Sequence, residues 1–421
     1  MRRAIRTCLL SLLAIAGVSQ AGIVSSHGAL KVKDSLIVNA SGEPIQLAGM
    51  SMFWSGWMSG FYRTSVVNTL ARDWKSSIIR AAMGVEGSSN YLMSPDANKK
   101  SVNTIVNGAI ANDIYVIIDW HDHNANINIA EAKAFFSEMA QLYKNTPNVI
   151  WEIWNEPDNK SGSVSGRDSW SRDIRPYAEE VIAEIRKYSS NLVIVGTPNW
   201  SQDVDSAAKN PVTDTNTAYA LHFYAGSHSG AFRTKANNAM RNGAAVFITE
   251  WGTSMANGGT TGNPPVNDNY IDTLESNDWL DWAKERNISW CNWSVSNKDE
   301  SSAALKPGAS YNGGWPDSML TPSGLYVRRK IREVTERIPV SVAPRSRSIG
   351  PARVMATTQG WRVQLPKNAT EVRVSDLQGR ILSRHQVPGR TELLLPSSST
   401  PMFVLVESPE GLRSTLVTPA R

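Results

Sequence analysis

One stretch constrains the fold more than any other. The apolar run Val149-Ile150-Trp151-Glu152-Ile153-Trp154 stops abruptly at Asn155-Glu156-Pro157. Such a run reads as a strand buried on both faces. Proline cannot continue a central strand, so the strand ends here and leaves a carboxylate at its C-terminal end. Strands buried on both faces belong to parallel sheets covered by helices, and those sheets build their sites at the strands' C-terminal ends. A second stretch, Ala245-Val246-Phe247-Ile248-Thr249-Glu250-Trp251-Gly252, has the same grammar.

Strand and helix patterns alternate on both sides of these stretches. A hairpin over residues 30–44, with Gly42 at its turn, precedes a strand over 45–50. Further strands are predicted over 76–82, 115–119, 192–196, 218–224 and 288–294. Helical periods fall over 102–111, 129–143, 170–188, 229–242, 268–286 and 323–337. Eight strands, each followed by a helix or helix-like segment, predict a (β/α)8 TIM barrel over residues 22–338. Residues 339–351 are a Pro/Ser/Arg linker, and 352–421 alternate as a small all-β C-terminal domain.

The first residues read as a secretory leader. Arg2, Arg3 and Arg6 precede a short apolar stretch, and Ser19-Gln20-Ala21 supplies small residues for cleavage, so residues 1–21 are the expected signal. No later segment is long and apolar enough to span a bilayer. With Cys8 in the leader, Cys291 is left alone as a buried, inert thiol. Residues 339–421 carry eleven Lys and Arg against five Asp and Glu, and the leader carries three arginines. The remainder holds 29 basic against 33 acidic residues, which argues against a nucleic-acid partner for the large domain.

Two carboxylates at strand ends, each next to a tryptophan or one residue from it, are what glycoside hydrolysis requires. Glu156 and Glu250 end the fourth and seventh predicted strands, on opposite sides of a barrel mouth. Arg80, at the second strand's end, is placed to keep Glu250 ionised, and Tyr224 to donate a hydrogen bond to it. His222 is placed to orient a carboxylate or to act on Glu156, and Asn155 to bind a sugar 2-hydroxyl. Fourteen of the fifteen tryptophans precede residue 340. Trp54, Trp120 and Trp293 are predicted to stack on sugar rings at the mouth, and Trp74, Trp151, Trp279 and Trp282 to lie in the core. The string Asp119-Trp120-His121-Asp122-His123 has metal-ligand residue types. Its ligands alternate on one short segment with no distant cluster to complete them, so no metal is assigned and His121 reads as a sugar or carboxylate contact.

These motifs resemble glycoside hydrolase family 5, in its cellulase-type branch, over about residues 27–337. The two signatures are Ile153-Trp154-Asn155-Glu156-Pro157 and Ile248-Thr249-Glu250-Trp251-Gly252. Further matching phrases are Ile79-Arg80-Ala81-Ala82-Met83, Ile118-Asp119-Trp120-His121, Leu221-His222-Phe223-Tyr224 and Trp290-Cys291-Asn292-Trp293-Ser294. The resemblance implies retaining cleavage of a β-1,4-glucan polysaccharide without a cofactor, Glu156 acting as acid/base and Glu250 as nucleophile. It implies active-site places for Arg80, His121, Asn155, His222, Tyr224 and Trp293, a stacking role for Trp54, and a glucose subsite at Lys298 and Glu300. The loop over residues 50–62 departs from the family in holding no histidine. The same chemistry on mannan, xylan or mixed-linkage glucan, or a non-catalytic glycan-binding surface protein, are the alternatives. The tail phrase Val374-Ser375-Asp376-Leu377-Gln378-Gly379-Arg380 is similar to bacterial C-terminal sorting domains. It implies export machinery as a partner and a secreted or cell-surface location. A carbohydrate-binding module is the rival reading for the tail, with Trp361 and Phe403 as its only aromatic candidates.

Overall fold

The computed structural model describes residues 22–158, 169–262, 266–340, 353–357, 360–375, 381–398, 400, 402–408 and 411–417. The expected leader, linker residues 341–351 and the turn over 376–380 lie outside the described residues. Gly22–Val340 forms one compact unit, and the segment from Ser341 onward belongs to another.

Eight parallel strands close the barrel of the first unit: β1 (Ala48–Met52), β2 (Ile78–Gly84), β3 (Tyr115–His121), β4 (Val149–Glu152), β5 (Val193–Val195), β6 (Thr217–Tyr224), β7 (Val246–Gly252) and β8 (Trp290–Val295). Each pairs with its neighbours in sequence, and β8 returns to β1. The helices between them are α1 (Thr64–Arg72), α2 (Pro95–Ala111), α3 (Ile129–Leu142), α4 (Arg175–Arg186), α5 (Val204–Lys209), α6 (Gly230–Arg241) and α7 (Thr273–Glu285), and α8 (Pro322–Thr335) follows β8. Every residue of β2, β3 and β7 is buried, as expected of strands with side chains on one face and helices on the other. The helices bury one stripe each. In α3 this is Ala132, Phe135, Phe136, Met139 and Ala140, a helical spacing that faces the sheet. Thr321 caps α8 by accepting the Gly324 N–H, and Pro322 occupies its first turn, where no N–H is needed.

Two local expectations change. The hairpin pairs Lys31–Lys33 with Leu36–Val38 and turns at Asp34 and Ser35, both left-handed; Gly42 turns the next connection, where Val38 bridges Pro44. The helix expected over 170–188 opens with a π-helical turn, Trp170–Ile174, before α4. Pro176 has no N–H to return to residue 172, so the regular α-ladder cannot start earlier. At Gly49 the strands approach so closely that a Cβ would sit 1.7 Å from the Ile78 carbonyl oxygen, which demands glycine.

The second unit contains a three-stranded and a four-stranded antiparallel sheet over its own apolar cluster, including Val363, Val372, Val374, Val404 and Val406. Its strand Met402–Ser408 alternates buried and half-buried residues, the period that one-sided burial dictates. Trp361 packs against this cluster and Phe403 is half-buried. No helix among the described residues is long and apolar enough to cross a membrane.

Candidate active site

The barrel register sets the site. Ser51 is the Cα partner of Arg80, Asp119 of Glu152, and His222 of Glu250. Register shifts fall beside the site, between Ala220 and His222 and between Trp293 and Val295, where bulges re-aim side chains. The Trp293–Ser294 peptide is cis.

Arg80 is the hub and is fully buried. Its Nε and Nη2 bind both oxygens of Glu152 at 2.7 and 3.1 Å. Nη2 also reaches Asp119 Oδ2 at 2.9 Å and Asn155 Oδ1 at 2.6 Å, and Nη1 reaches Glu250 Oε2 at 3.0 Å. A buried guanidinium survives only when paired, and here planar bidentate pairing is combined with four further acceptors, the fourth being the Ser51 hydroxyl at 3.3 Å from Nη1. One cation faces three carboxylates, so burial raises two of them. Asp119 is pushed up to about 7 despite Arg80, and Glu152 is raised as well.

Glu250 is held at both oxygens, by Arg80 at one and by the Tyr224 hydroxyl, which donates to Oε1 at 2.8 Å, at the other. Burial, then the charge of Glu250, lifts the Tyr224 phenol well above its ordinary value, so it stays a donor. Across the cleft, Glu156 Oε1 meets His222 Nδ1 at 2.9 Å, and His222 Nε2 meets the Thr249 hydroxyl at 2.8 Å. Glu156 Oε2 lies 3.6 Å from His123 Nε2, whose Nδ1 lies 3.7 Å from Glu86. Burial opposes ionisation of Glu156, but His123 and His222 outweigh it and hold the carboxyl below the usual range. Burial would likewise lower His123, yet Glu156 and Glu86 on either side push it up to about 10. An oxygen of Glu156, a ring nitrogen of His222 and an oxygen of Glu250 lie within 4.8 Å of one another. By spacing alone this trio could hold a cation. His222 already binds Glu156 and Thr249, however, and Glu250 already binds Arg80 and Tyr224, so the donors are committed internally.

The aromatic wall surrounds His121, which binds Asp119 Oδ2 through Nδ1 at 2.7 Å. Burial and Arg80 push His121 down to about 3, keeping it neutral. Its ring stacks on Trp293 at 5.1 Å and 7°, and it meets Trp54 edge-on at 4.6 Å. Lys298 pairs with the buried Glu300 at 2.6 Å, with its ammonium 5.7 Å above the Phe53 ring that packs on Trp293.

The structure thus gathers Glu156, Glu250, Arg80, Asn155, His222, Tyr224 and His121 at one mouth, with Trp293 and Trp54 against His121. Trp120 is not among them. It is 0% exposed and packs on Tyr91, Phe135 and Phe136. Strand side chains alternate, so with Asp119 and His121 facing inward Trp120 must face the helix layer. Trp54 is only 9% exposed, because Trp57 stacks on it at 4.6 Å and 14°; Trp57 is 53% exposed and presents the open indole. Trp74, Trp151, Trp279 and Trp282 are buried, as predicted. Glu152, Glu86 and Trp57 are not singled out by the sequence, and His123 figures there only within the metal-type string. Glu152 carried a signal, a charge inside an apolar strand, which must be paired.

With this geometry established, comparison with known proteins gives a consistent family. The cellulase family, glycosyl hydrolase family 5, matches residues 38–299. An endoglucanase of Clostridium saccharobutylicum is 44% identical over 317 residues, covering 74% of this chain and 67% of its own. A solved structure from Cytophaga hutchinsonii is 45% identical, with a TM-score of 0.70, covering 76% of this chain and 99% of its own. The catalytic domain of Thermobifida fusca endoglucanase Cel5A, solved with cellotetraose, is 32% identical, with a TM-score of 0.66, covering 74% and 100%. The chain spans between 57% and 67% of the length of the first curated relatives it matches. The fold, the paired carboxylates and these matches agree: the chain belongs to the cellulases of glycosyl hydrolase family 5.

Proposed function

We propose that the barrel unit is a retaining endo-β-1,4-glucanase that cuts cellulose-type glucans by double displacement. One observation carries this reading: oxygens of Glu156 and Glu250 lie within 4.8 Å of each other. Retaining glycosidases hold their two carboxyls about 5–5.5 Å apart, whereas inverting enzymes need about 6.5–9.5 Å to admit water. The endoglucanase names of the relatives support the substrate class.

Glu250 is the nucleophile. Arg80 and Tyr224 hold its two oxygens, so it attacks the anomeric carbon without reorganising. Glu156 gives its proton to the departing glycosidic oxygen, then takes one from the water that releases the glycosyl-enzyme. In the open site two imidazoles hold Glu156 toward its ionised form. A glucan filling the cleft adds burial, which drives the carboxyl toward the protonated form the first step needs. Asn155 gives its Oδ1 to Arg80, leaving a buried Nδ2 with no partner among the described residues; it is offered to the sugar 2-hydroxyl. Trp293 and Trp57 flank the cleft as sugar platforms, and Lys298 with Glu300 borders a glucose subsite. The leader and tail fit an exported protein whose C-terminal unit, residues 352–421, serves sorting or surface attachment.

The test is reducing-end release and viscosity loss on carboxymethyl-cellulose, with glucomannan and xylan in parallel, and NMR of the first-formed anomer. A fast viscosity drop on the cellulose derivative with a β-anomer product is expected. Activity confined to mannan or xylan would move the substrate and keep both glutamates in role. Glu250→Gln should lower turnover by at least ~10³-fold while leaving sugar binding intact; undiminished hydrolysis would overturn the assignment.

A further inference from the structure

The turn after β5 passes through three successive left-handed residues that are not glycine. Asn199, Trp200 and Ser201 have φ of 58°, 55° and 56°. Asparagine tolerates this region, but tryptophan and serine rarely enter it, and consecutive left-handed L-residues are disfavoured. Such a conformation persists only where its surroundings hold it, and it concentrates at functional positions.

Two bonds of this turn reach one segment, while the Ser201 hydroxyl also accepts the Thr197 N–H at 3.2 Å and so ties the turn to itself. The Trp200 N–H donates to the Pro157 carbonyl at 3.0 Å. The buried Ser201 hydroxyl donates to the Asn155 carbonyl at 2.7 Å. Those two carbonyls flank Glu156. On the opposite side, the Asn155 N–H donates to Trp120 at 3.2 Å and the Glu156 N–H to Asp122 at 3.3 Å. The turn is itself anchored, because the Thr197 hydroxyl donates to the Ala220 carbonyl at 3.0 Å, two residues before His222. Gly196 closes the fit, since a Cβ there would lie 2.3 Å from the Trp154 carbonyl oxygen.

We propose that residues 199–201 form a positioning clasp for Glu156, holding the carbonyls on either side of it so that its carboxyl meets the leaving oxygen. The proposal rests on the reading of Glu156 as acid/base. Ser201 acts through the Asn155 carbonyl and is a positioning residue. Loss of its hydroxyl lets the Glu156 segment shift, and a misplacement of about 1 Å costs a proton transfer up to ~10²-fold.

The experiment compares kcat/KM on cellopentaose, whose leaving alkoxide needs a proton, with that on dinitrophenyl β-cellobioside, whose leaving phenolate needs none. Ser201→Gly is the informative variant. Glycine is at ease at this φ, so the change removes the hydroxyl while relieving the strain. The expected result is a loss of ~10-fold or more on cellopentaose and a change within about twofold on the dinitrophenyl substrate. Ser201→Cys, a weaker donor of similar shape, should fall between on cellopentaose. Equal losses on both substrates, or none on either, would overturn the clasp. Glu156→Gln is run beside it. If that variant discriminates between the substrates and Ser201→Gly does not, the clasp alone fails. If Glu156→Gln loses both alike, the acid/base reading fails and the clasp with it.

Discussion

His123 stands between two carboxylates and serves both. Its ring lies 3.6 Å from Glu156 and 3.7 Å from Glu86, and its backbone N–H donates to Glu86 at 3.1 Å. The pair pushes its imidazole up to about 10, so it is a cation at neutral pH. That cation, together with His222, holds Glu156 below the usual carboxylate range against the pull of burial. Asp119, His121, Tyr224 and His228 also interact with the charge of Glu156; Glu250 lies across the cleft, and Asp122, whose carbonyl accepts the Glu156 N–H, has a carboxyl that burial and Glu86 push up to about 7. The sign follows. His123→Asn removes a positive charge, so the Glu156 carboxyl rises and stays protonated to higher pH. The basic limb of kcat/KM, which reports the acid form of the free enzyme, should move to higher pH in this variant. A basic limb that stays in place or moves down would show that His123 does not set the proton affinity of Glu156.

At the scale of elements, the loops after the strands decide what the site grips. The loop after β1 carries Trp54 and Trp57 as a stacked pair, and only the outer indole, 53% exposed, is open to a ligand. Trp57→Ala should therefore raise KM on long cello-oligosaccharides by roughly fivefold, about 1 kcal/mol of stacking, with kcat little changed. An unchanged KM measured on cellopentaose and cellohexaose would place the platform elsewhere. This is also where the sequence stopped being legible. Barrel strands announce themselves because burial on both faces leaves apolar runs, and Glu156 and Glu250 stand out where those runs end. Strand-end position alone puts Arg80 and Tyr224 within reach of Glu250, and they contact it at 3.0 and 2.8 Å. Trp120 stands at a strand end as the site residues do, but the parity of Asp119 and His121 assigns it to the helix layer. Glu152, Glu86 and His123 depend on which strands and loops meet across the mouth. That information is in the register, not in any one segment.

At the scale of the molecule, the chain is two units with separate cores. The barrel buries its cluster from Ile23 to Ile338, and the C-terminal unit buries Val363, Val372, Val404 and Val406 with their neighbours. Each unit buries its own apolar core, so the barrel is expected to fold without the C-terminal unit. The place to separate them is set by contacts that belong to the barrel. His27 Nε2 binds the Pro339 carbonyl at 2.8 Å, Ile338 is buried and Val340 packs on the barrel core. A chain ending at Ile338 would forfeit the Pro339 bond, whereas one ending at Val340 keeps it. All residues that build the mouth, from Trp54 to Glu300, lie before that point. The truncated chain ending at Val340 should therefore hydrolyse carboxymethyl-cellulose within about twofold of the full chain and unfold within about 2 °C of its barrel transition. Calorimetry on both forms checks the second expectation, and initial rates on the soluble polymer check the first. A drop in Tm beyond that range would mean that the C-terminal unit stabilises the barrel. A loss of rate at unchanged Tm would mean that it takes part in holding the glucan.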